Sequence, residues 1–339
     1  MKKIAVFFLT LSLFWTSVAA EGSYIVISGN DGNVLEAENE HEVRSIASIS
    51  KIMTAVVALE NGDYIDQWII GDEVTNVTGS MIWIAKGQQV SMRSLLYGMM
   101  LKSGNDAAVA IAHRVGGGSV ERFVKMMNEK AAELGMKDTE FHNPNGMDVE
   151  EEGNYSTAYD MALLMQYAMT IPQFREIVAT QYYTSEWGSR WKNSNKLLNN
   201  FEFCTGGKTG FTYEAGLCLA SAAEKENMSL ILVTAKAPVE LGYQPIHIQD
   251  AKLIYDRAFD EYHQVVLLSK DEALPALTIK QKFKANEIDL KAPETITAIL
   301  PKNIERESCS YTYLNESLTP PITQGELIQT LTITCQGEA

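Results

Sequence analysis

Little in this chain suits it to hold a metal. Its five histidines (His41, His113, His142, His247 and His263) lack zinc-ligand spacing, and there is no Cys-x-x-Cys. The sequence predicts no metal site. Basic residues are also scarce: 28 Lys+Arg against 43 Asp+Glu give a formal net charge of -15. That acidity argues against nucleic acid and against anionic lipid headgroups as partners. The apolar stretch 4–15 is shorter than the about 20 residues a membrane span needs. It follows Lys2 and Lys3 and precedes Val18-Ala19-Ala20, so residues 1–20 read as a signal peptide cleaved before Glu21. The mature chain is expected outside the cytoplasm, in a periplasm or cell-wall space. Cysteine is sparse, at four residues: Cys204, Cys218, Cys309 and Cys335. Export makes disulfides possible, and four cysteines allow three pairings. The pairing expected from proximity in sequence is Cys204 with Cys218 and Cys309 with Cys335. There is no internal repeat and no low-complexity tract. The 339 residues fit one large domain or two ordinary ones, with ample core.

What is present divides into two textures. Residues 23–28 and 33–37 read as a hairpin across Gly29-Asn30-Asp31-Gly32. A run apolar nearly all round follows from Ser48 to the stop at Asn61-Gly62-Asp63, the pattern of a buried helix. Short strands are expected over 66–77. Helices are expected over 91–100 with Ser91 as cap, over 107–115, over 120–134 closed by Gly135, and over 156–169 capped by Ser156 or Thr157. Residues 180–205 alternate polar and aromatic residues, as short strands do. Strands over 216–222 and 228–235 and a helix over 251–262 complete the first part. After Gln264 helical signals vanish, and β-type runs at 277–280, 296–300 and 327–334 alternate with polar and proline turns.

Three short motifs stand in order: Ser48-Ile49-Ser50-Lys51, Ser103-Gly104-Asn105 and Lys208-Thr209-Gly210. On a helix, the first puts a serine and a lysine on one face. Desolvation lowers a lysine pKa, so Lys51 would be able to take the proton of the Ser48 hydroxyl. Each motif is common alone. Ser48 reads equally as a helix cap, Ser103-Gly104-Asn105 as a turn and Lys208-Thr209-Gly210 as a strand end. Together, in this order, they match the set shared by β-lactamases and penicillin-binding proteins.

Wider text resembles the low-molecular-mass D-alanyl-D-alanine carboxypeptidases, penicillin-binding proteins of the serine peptidase S11 type. It runs through residues 44–54 and 87–112, then Met127-Asn128, Leu134-Gly135-Met136, 141–148, Tyr155-Ser156-Thr157-Ala158, Asp160-Met161, 207–212 and Ala215-Gly216. The final part, with Pro321-Ile322 and Gly325-Glu326-Leu327, is similar to the family's C-terminal domain. The resemblance implies an α+β fold. A β-lactamase/transpeptidase-like domain over 21–263 would set a five-stranded antiparallel sheet against a helical lobe, followed by a small all-β domain over 264–339. It implies that Ser48 attacks the penultimate D-alanine carbonyl of a peptidoglycan stem peptide, with Lys51 as general base and no cofactor. Ser103, assisted by Lys208, would pass a proton to the leaving amine. Asn105 would hydrogen-bond the substrate amide, and Lys208 and Thr209 would take the terminal carboxylate. Backbone N–H groups of Ser48 and Phe211, next to Gly210, would form the oxyanion hole. β-Lactams would acylate the same serine.

Two features depart from the family. Its members usually end in an amphipathic helix on the membrane, whereas this sequence ends at Cys335-Gln336-Gly337-Glu338-Ala339 after a strand. Either the protein is soluble after cleavage or the sequence is truncated. Many relatives also carry a carboxylate-binding arginine before the last helix. An ungapped placement puts His247 there, which would shift recognition toward Lys208 and Thr209. Loop-shaping roles are expected for His142 and for residues 143–146, and either rim packing or substrate stacking for Trp187 and Trp191. Two other readings are a class A β-lactamase and a non-catalytic peptidoglycan-binding scaffold. The first is disfavoured because no Glu-x-x-Leu-Asn lies between Asn105 and Lys208. The second is disfavoured by the intact nucleophile-and-base set. An endopeptidase would share every residue named.

Overall fold

The computed structural model describes residues 22–148, 153–237, 246–281, 284–315 and 329–335. The expected signal peptide, the family-like segment 321–327 and the tail after Cys335 lie outside them. The described residues divide into two compact units, 22–258 and 259–335.

The first unit is built on a five-stranded antiparallel sheet. Strands β1 (Ser23–Ser28), β2 (Val34–Glu38), β3 (Cys204–Thr212), β4 (Gly216–Lys225) and β5 (Met228–Ala237) lie in the order β2-β1-β5-β4-β3. β1 and β5 are central and nearly continuously buried, with no polar-out alternation. That pattern marks strands covered on both faces.

Six helices of this unit matter here, α1 (Lys51–Asn61), α2 (Met92–Lys102), α3 (Asn105–Val115), α4 (Val120–Glu133), α5 (Ala158–Ala168) and α6 (Pro172–Ala179), with α7 (Ile246–Glu261), most of which belongs to it. α1 is the centre of the lobe and packs against α2 to α6. Every residue from Lys51 to Ala58 is buried, as its all-round apolar sequence requires. Fully burying Ile52, Met53, Val56 and Val57 contributes about 1.5–3 kcal/mol each. Hydroxyls set three helix starts: Ser91 accepts from the Ser94 N–H, Ser119 from Arg122 and Thr157 from Asp160. α5 covers β1 and β5. From α7, Tyr255 meets the Ser221 hydroxyl of β4 at 3.1 Å.

Three local expectations need correction. Residues 66–77 hold one strand, Gln67–Ile69, paired with Gln89–Ser91, and then a 3-10 turn at Asp72–Val74. Residues 180–205 do form the ribbon Tyr182–Thr184 with Arg190–Lys192, but Leu197–Asn200 is a helical turn. The third concerns cysteine: Cys309–Cys335 is a disulfide, whereas Cys204 and Cys218 are buried free thiols. They lie on neighbouring strands, yet Cys204 faces Ala223 and Cys218 faces Gly210. At about 3.3 Å per residue the offset is roughly 16 Å, far beyond the span a disulfide bridges.

The second unit is three antiparallel ribbons: Tyr262–Leu268 with Ile296–Pro301, Ala273–Gln281 with Lys284–Lys291, and Cys309–Asn315 with Gln329–Cys335. Among the described residues, Val265, Leu267, Ala298, Leu300, Ile304, Ile333 and Cys335 cluster as its core. A covalent tie runs through that cluster. Closing the 26-residue separation between Cys309 and Cys335 contributes about 3–4 kcal/mol. Thiol titration of the denatured, unreduced chain is expected to find two free thiols, mapping to Cys204 and Cys218. Reduction is expected to lower the unfolding temperature of the second unit. Zero or four thiols would contradict the arrangement.

Candidate active site

The Ser-x-x-Lys motif straddles a 3-10 turn, Ala47–Ser50, that feeds directly into α1. Ala47 has φ +46°, a left-handed conformation that turns the chain sharply before the helix. Ser48 stays half-buried, and Lys51 is wholly buried. The Lys51 Nζ lies 2.9 Å from Ser48 Oγ and donates to Asn105 Oδ1 at 2.8 Å and to the Asn145 carbonyl. No carboxylate forms an ion pair with it among the described residues. Burial, then the charge of Lys208, pushes the Lys51 pKa well below the ordinary lysine range; Asp106 pulls the other way. Desolvation thus favours the amine form of Lys51 beside the Ser48 hydroxyl. The cap reading of Ser48 fails, since no side-chain cap bond forms at this turn.

Ser103 and Asn105 sit where α2 passes into α3. Ser103 takes φ +62°, ends α2 and donates its N–H to the Gly98 carbonyl. α3 then starts at Asn105, two residues before the expected start. Asn105 is clamped on three sides. Its N–H bonds the Ser80 carbonyl (2.7 Å), its Nδ2 the Thr78 carbonyl (2.7 Å), and its Oδ1 accepts from Lys51. The buried Asp106 carboxylate steadies the same segment by accepting from the Ile82 and Ile84 N–H groups at 3.0 and 3.1 Å.

β3 brings the third motif to the seam between sheet and lobe. Lys208 Nζ donates to Ser103 Oγ at 3.1 Å and to the Thr209 carbonyl at 2.6 Å. Burial alone lowers its pKa to about 7. Gly210 permits the close approach of β3 to the nucleophile: a Cβ there would stand 3.0 Å from the backbone nitrogens of Ser48 and Ile49. Thr209 is partly exposed. Phe211 is 42% exposed, its ring edge-on to Tyr213. The structure thus gathers Ser48, Lys51, Ser103, Asn105, Lys208, Thr209 and Gly210 at one seam, with Phe211 next along the strand.

Other residues turn out differently. His247 is buried, its Nδ1 without a partner among the described residues, and burial followed by the charge of Lys196 lowers its pKa to about 4. It is neutral at pH 7 and offers no cation to a carboxylate. Trp191 is core packing: it is buried against Tyr183 and Trp187 and presses on Gly98 of α2. The turn 143–147 reaches further than the loop-shaping reading, because the Asn145 carbonyl touches Lys51. A backbone acceptor carries no residue-type signal; Asn143-Pro144-Asn145-Gly146 announced only a turn. Among the described residues no cluster of His, Cys, Asp and Glu could hold a metal ion.

Serine enzymes of the transpeptidase-like class place two lysines about one nucleophile in this way, and fold and site put the chain in that class. It belongs to the S11 peptidase family, described as D-alanyl-D-alanine carboxypeptidase, whose family model matches residues 15–239. The D-alanyl-D-alanine carboxypeptidase DacF of Bacillus subtilis is 32% identical over 328 residues, 93% of this chain and 82% of the relative. Penicillin binding protein 5 from Haemophilus influenzae superposes with a TM-score of 0.82 at 27% identity, covering 96% of each chain. Penicillin-binding protein D2 of Listeria monocytogenes, solved in its cefotaxime-bound form, gives a TM-score of 0.61 at 28% identity over 69% of this chain and 94% of that one.

Two buried lysines carry a stability cost that changes with pH. The folded-state pKa of Lys208, about 7, lies below the unfolded value of about 10.4. The penalty is therefore full below pH 7 and fades as pH rises toward 10.4. Lys208→Met is expected to stabilise the fold by a few kcal/mol below pH 7, with the gain shrinking through pH 7–10, while catalysis is lost. Thermal unfolding across that range checks it; a gain that grows with pH would contradict it.

Proposed function

We propose that the chain removes the terminal D-alanine from peptidoglycan stem peptides through an acyl-enzyme on Ser48, outside the cytoplasm. The observation that carries this reading is the buried Lys51 side chain, with no carboxylate paired to it among the described residues, 2.9 Å from the Ser48 hydroxyl. As Ser48 Oγ attacks the penultimate D-alanine carbonyl, its proton passes to Lys51 Nζ. Negative charge collects on the carbonyl oxygen, where the Ser48 and Phe211 N–H groups would receive it. The C–N bond breaks, and the leaving amine takes a proton through Ser103, assisted by Lys208. Water then adds to the ester carbon, its proton passing through Ser103 to the Lys208 amine left by the previous step, and the Lys51 ammonium returns its own proton to the departing Ser48 oxygen.

Substrate recognition falls to Asn105, Lys208 and Thr209. Lys208 is poised near its midpoint at neutral pH; a carboxylate placed beside it favours the ammonium and raises its pKa. The Thr209 hydroxyl supplies a second donor. Asn105 meets the substrate amide from a side chain already fixed by three hydrogen bonds. A β-lactam presents the same carbonyl-and-carboxylate pair, and cefotaxime bound to the Listeria relative supports its acting here as an acylating inhibitor. The peptidase domain is taken as 21–263 and the β domain as 264–339. No helix among the described residues is long and apolar enough to cross a membrane.

Intact-mass tracking with a penicillin tests this reading. A lasting adduct of the whole drug on Ser48 is expected, together with D-alanine release from a model stem peptide. Ser48→Ala should lower that release at least about a thousandfold. No adduct would overturn the nucleophile assignment. An adduct lost within seconds as the drug is consumed would mark a β-lactamase instead.

A further inference from the structure

We infer that Asn143 is a positioning residue for acyl transfer: it shapes the turn 143–147 so that the Asn145 carbonyl aims the Lys51 lone pair at Ser48. The inference rests on the proposed role of Lys51 as base.

A neutral amine has two N–H bonds and one lone pair. Lys51 Nζ has three neighbours: Ser48 Oγ, Asn105 Oδ1 and the Asn145 carbonyl. The last two can only accept. When both N–H bonds are directed to them, the lone pair is left facing the Ser48 hydroxyl, which is the arrangement proton transfer requires. Without the Asn145 carbonyl, one N–H is free to turn onto Ser48 Oγ and block that transfer. The Ser48 hydroxyl itself is 3.4 Å from the Asn145 carbonyl and 2.9 Å from Nζ, so the amine is the nearer acceptor.

The carbonyl is held by side-chain amides. Asn143 Oδ1 accepts from the Gly146 and Asn145 N–H groups at 2.7 and 3.2 Å, and its Nδ2 donates to the Met147 carbonyl at 2.9 Å. The buried Asn154 secures the entry to the turn, accepting from the His142 and Asn143 N–H groups and donating to the Asn143 carbonyl. Thr54 on α1 donates to the Pro144 carbonyl at 2.6 Å. Gly146, at φ +76°, seats the turn on the nucleophile: a Cβ there would come within 1.9 Å of the Ala47 carbonyl oxygen. Two amide side chains, one hydroxyl and one close backbone approach thus converge on the placement of one oxygen.

Charged groups facing Lys51 come from other elements, Lys208 on β3 and Asp106 on α3. On the turn and its flanks, His142 lies 3.7 Å from Glu140, and Asp148 accepts from Ser45. The turn acts on Lys51 through the carbonyl. That acceptor favours the ammonium over the amine, so losing it lowers the Lys51 pKa.

The test is the pH profile of penicillin acylation for the full chain and for Asn143→Ala. The limiting acylation rate is expected to fall about tenfold or more. The acid limb should move to lower pH by about one unit, with drug binding before acylation unchanged. A variant that folds and acylates with its acid limb at the wild-type pH would overturn the inference, because a merely structural lesion lowers the active fraction without moving the limb. Should Asn143→Ala fail to fold, Asn143→Ser, which keeps one shorter acceptor, decides. A smaller loss of rate with a smaller shift in the same direction supports the inference; an unmoved limb, at any rate, overturns it. No adduct in the unaltered chain would count against the Ser48–Lys51 reading and not against Asn143.

Discussion

The burial of Lys51 with no counter-ion among the described residues is the constraint on which the rest of the structure depends. A lysine in water is an ammonium and a poor base. Here α1 is apolar on every face, so its first residue enters a dry lobe, and desolvation favours the amine. The cost is tolerable because every neighbour of Nζ is a neutral oxygen: a hydroxyl, a side-chain amide and a backbone carbonyl. A carboxylate in that position would fix the charge and remove the base. Asp106 lies one residue beyond Asn105, yet its oxygens are taken up by backbone N–H groups.

Three separate pieces of chain must meet at Ser48 for this to work, and each does so through an unusual backbone. Ala47 and Ser103 adopt left-handed conformations at the nucleophile turn and at the α2–α3 junction. Gly146 and Gly210 let two strands of backbone lie against the nucleophile turn where a Cβ would collide. The left-handed conformations of Ala47 and Ser103 each cost on the order of 1–3 kcal/mol. The sheet and the packed lobe hold these points rigidly: β3 is locked into the sheet by β4, and Trp191 presses the α2 helix at Gly98, whose carbonyl receives the Ser103 and Gly104 N–H groups.

Much of this was legible in the sequence because it rests on residue type. A helix apolar all round can only be central, and serine, lysine and asparagine at motif spacing carry their chemistry with them. The hairpin 23–37 and the Ser91 and Thr157 caps were readable for the same reason. The rest was hidden in backbone and register. The Asn145 acceptor is a carbonyl that any residue would supply. The separation of Cys204 from Cys218 follows from strand register, which sequence distance does not reveal. α6 went unread although Pro172 at its first turn is a helix-start signal. His247, placed by alignment at a carboxylate-binding position, is kept neutral by an environment only the fold creates.

Burial holds the Lys51 pKa well below the ordinary lysine range. Labelling lysine at Cε and Nζ and following each resonance with pH by NMR reads this directly, with Lys51→Arg to assign the signal. Two lysines are expected to titrate below the ordinary range, Lys208 near 7 and Lys51, the latter identified as the signal that Lys51→Arg removes. A Lys51 signal that stays ammonium through pH 9 would contradict the account, because the Ser48 proton would then have no base to receive it.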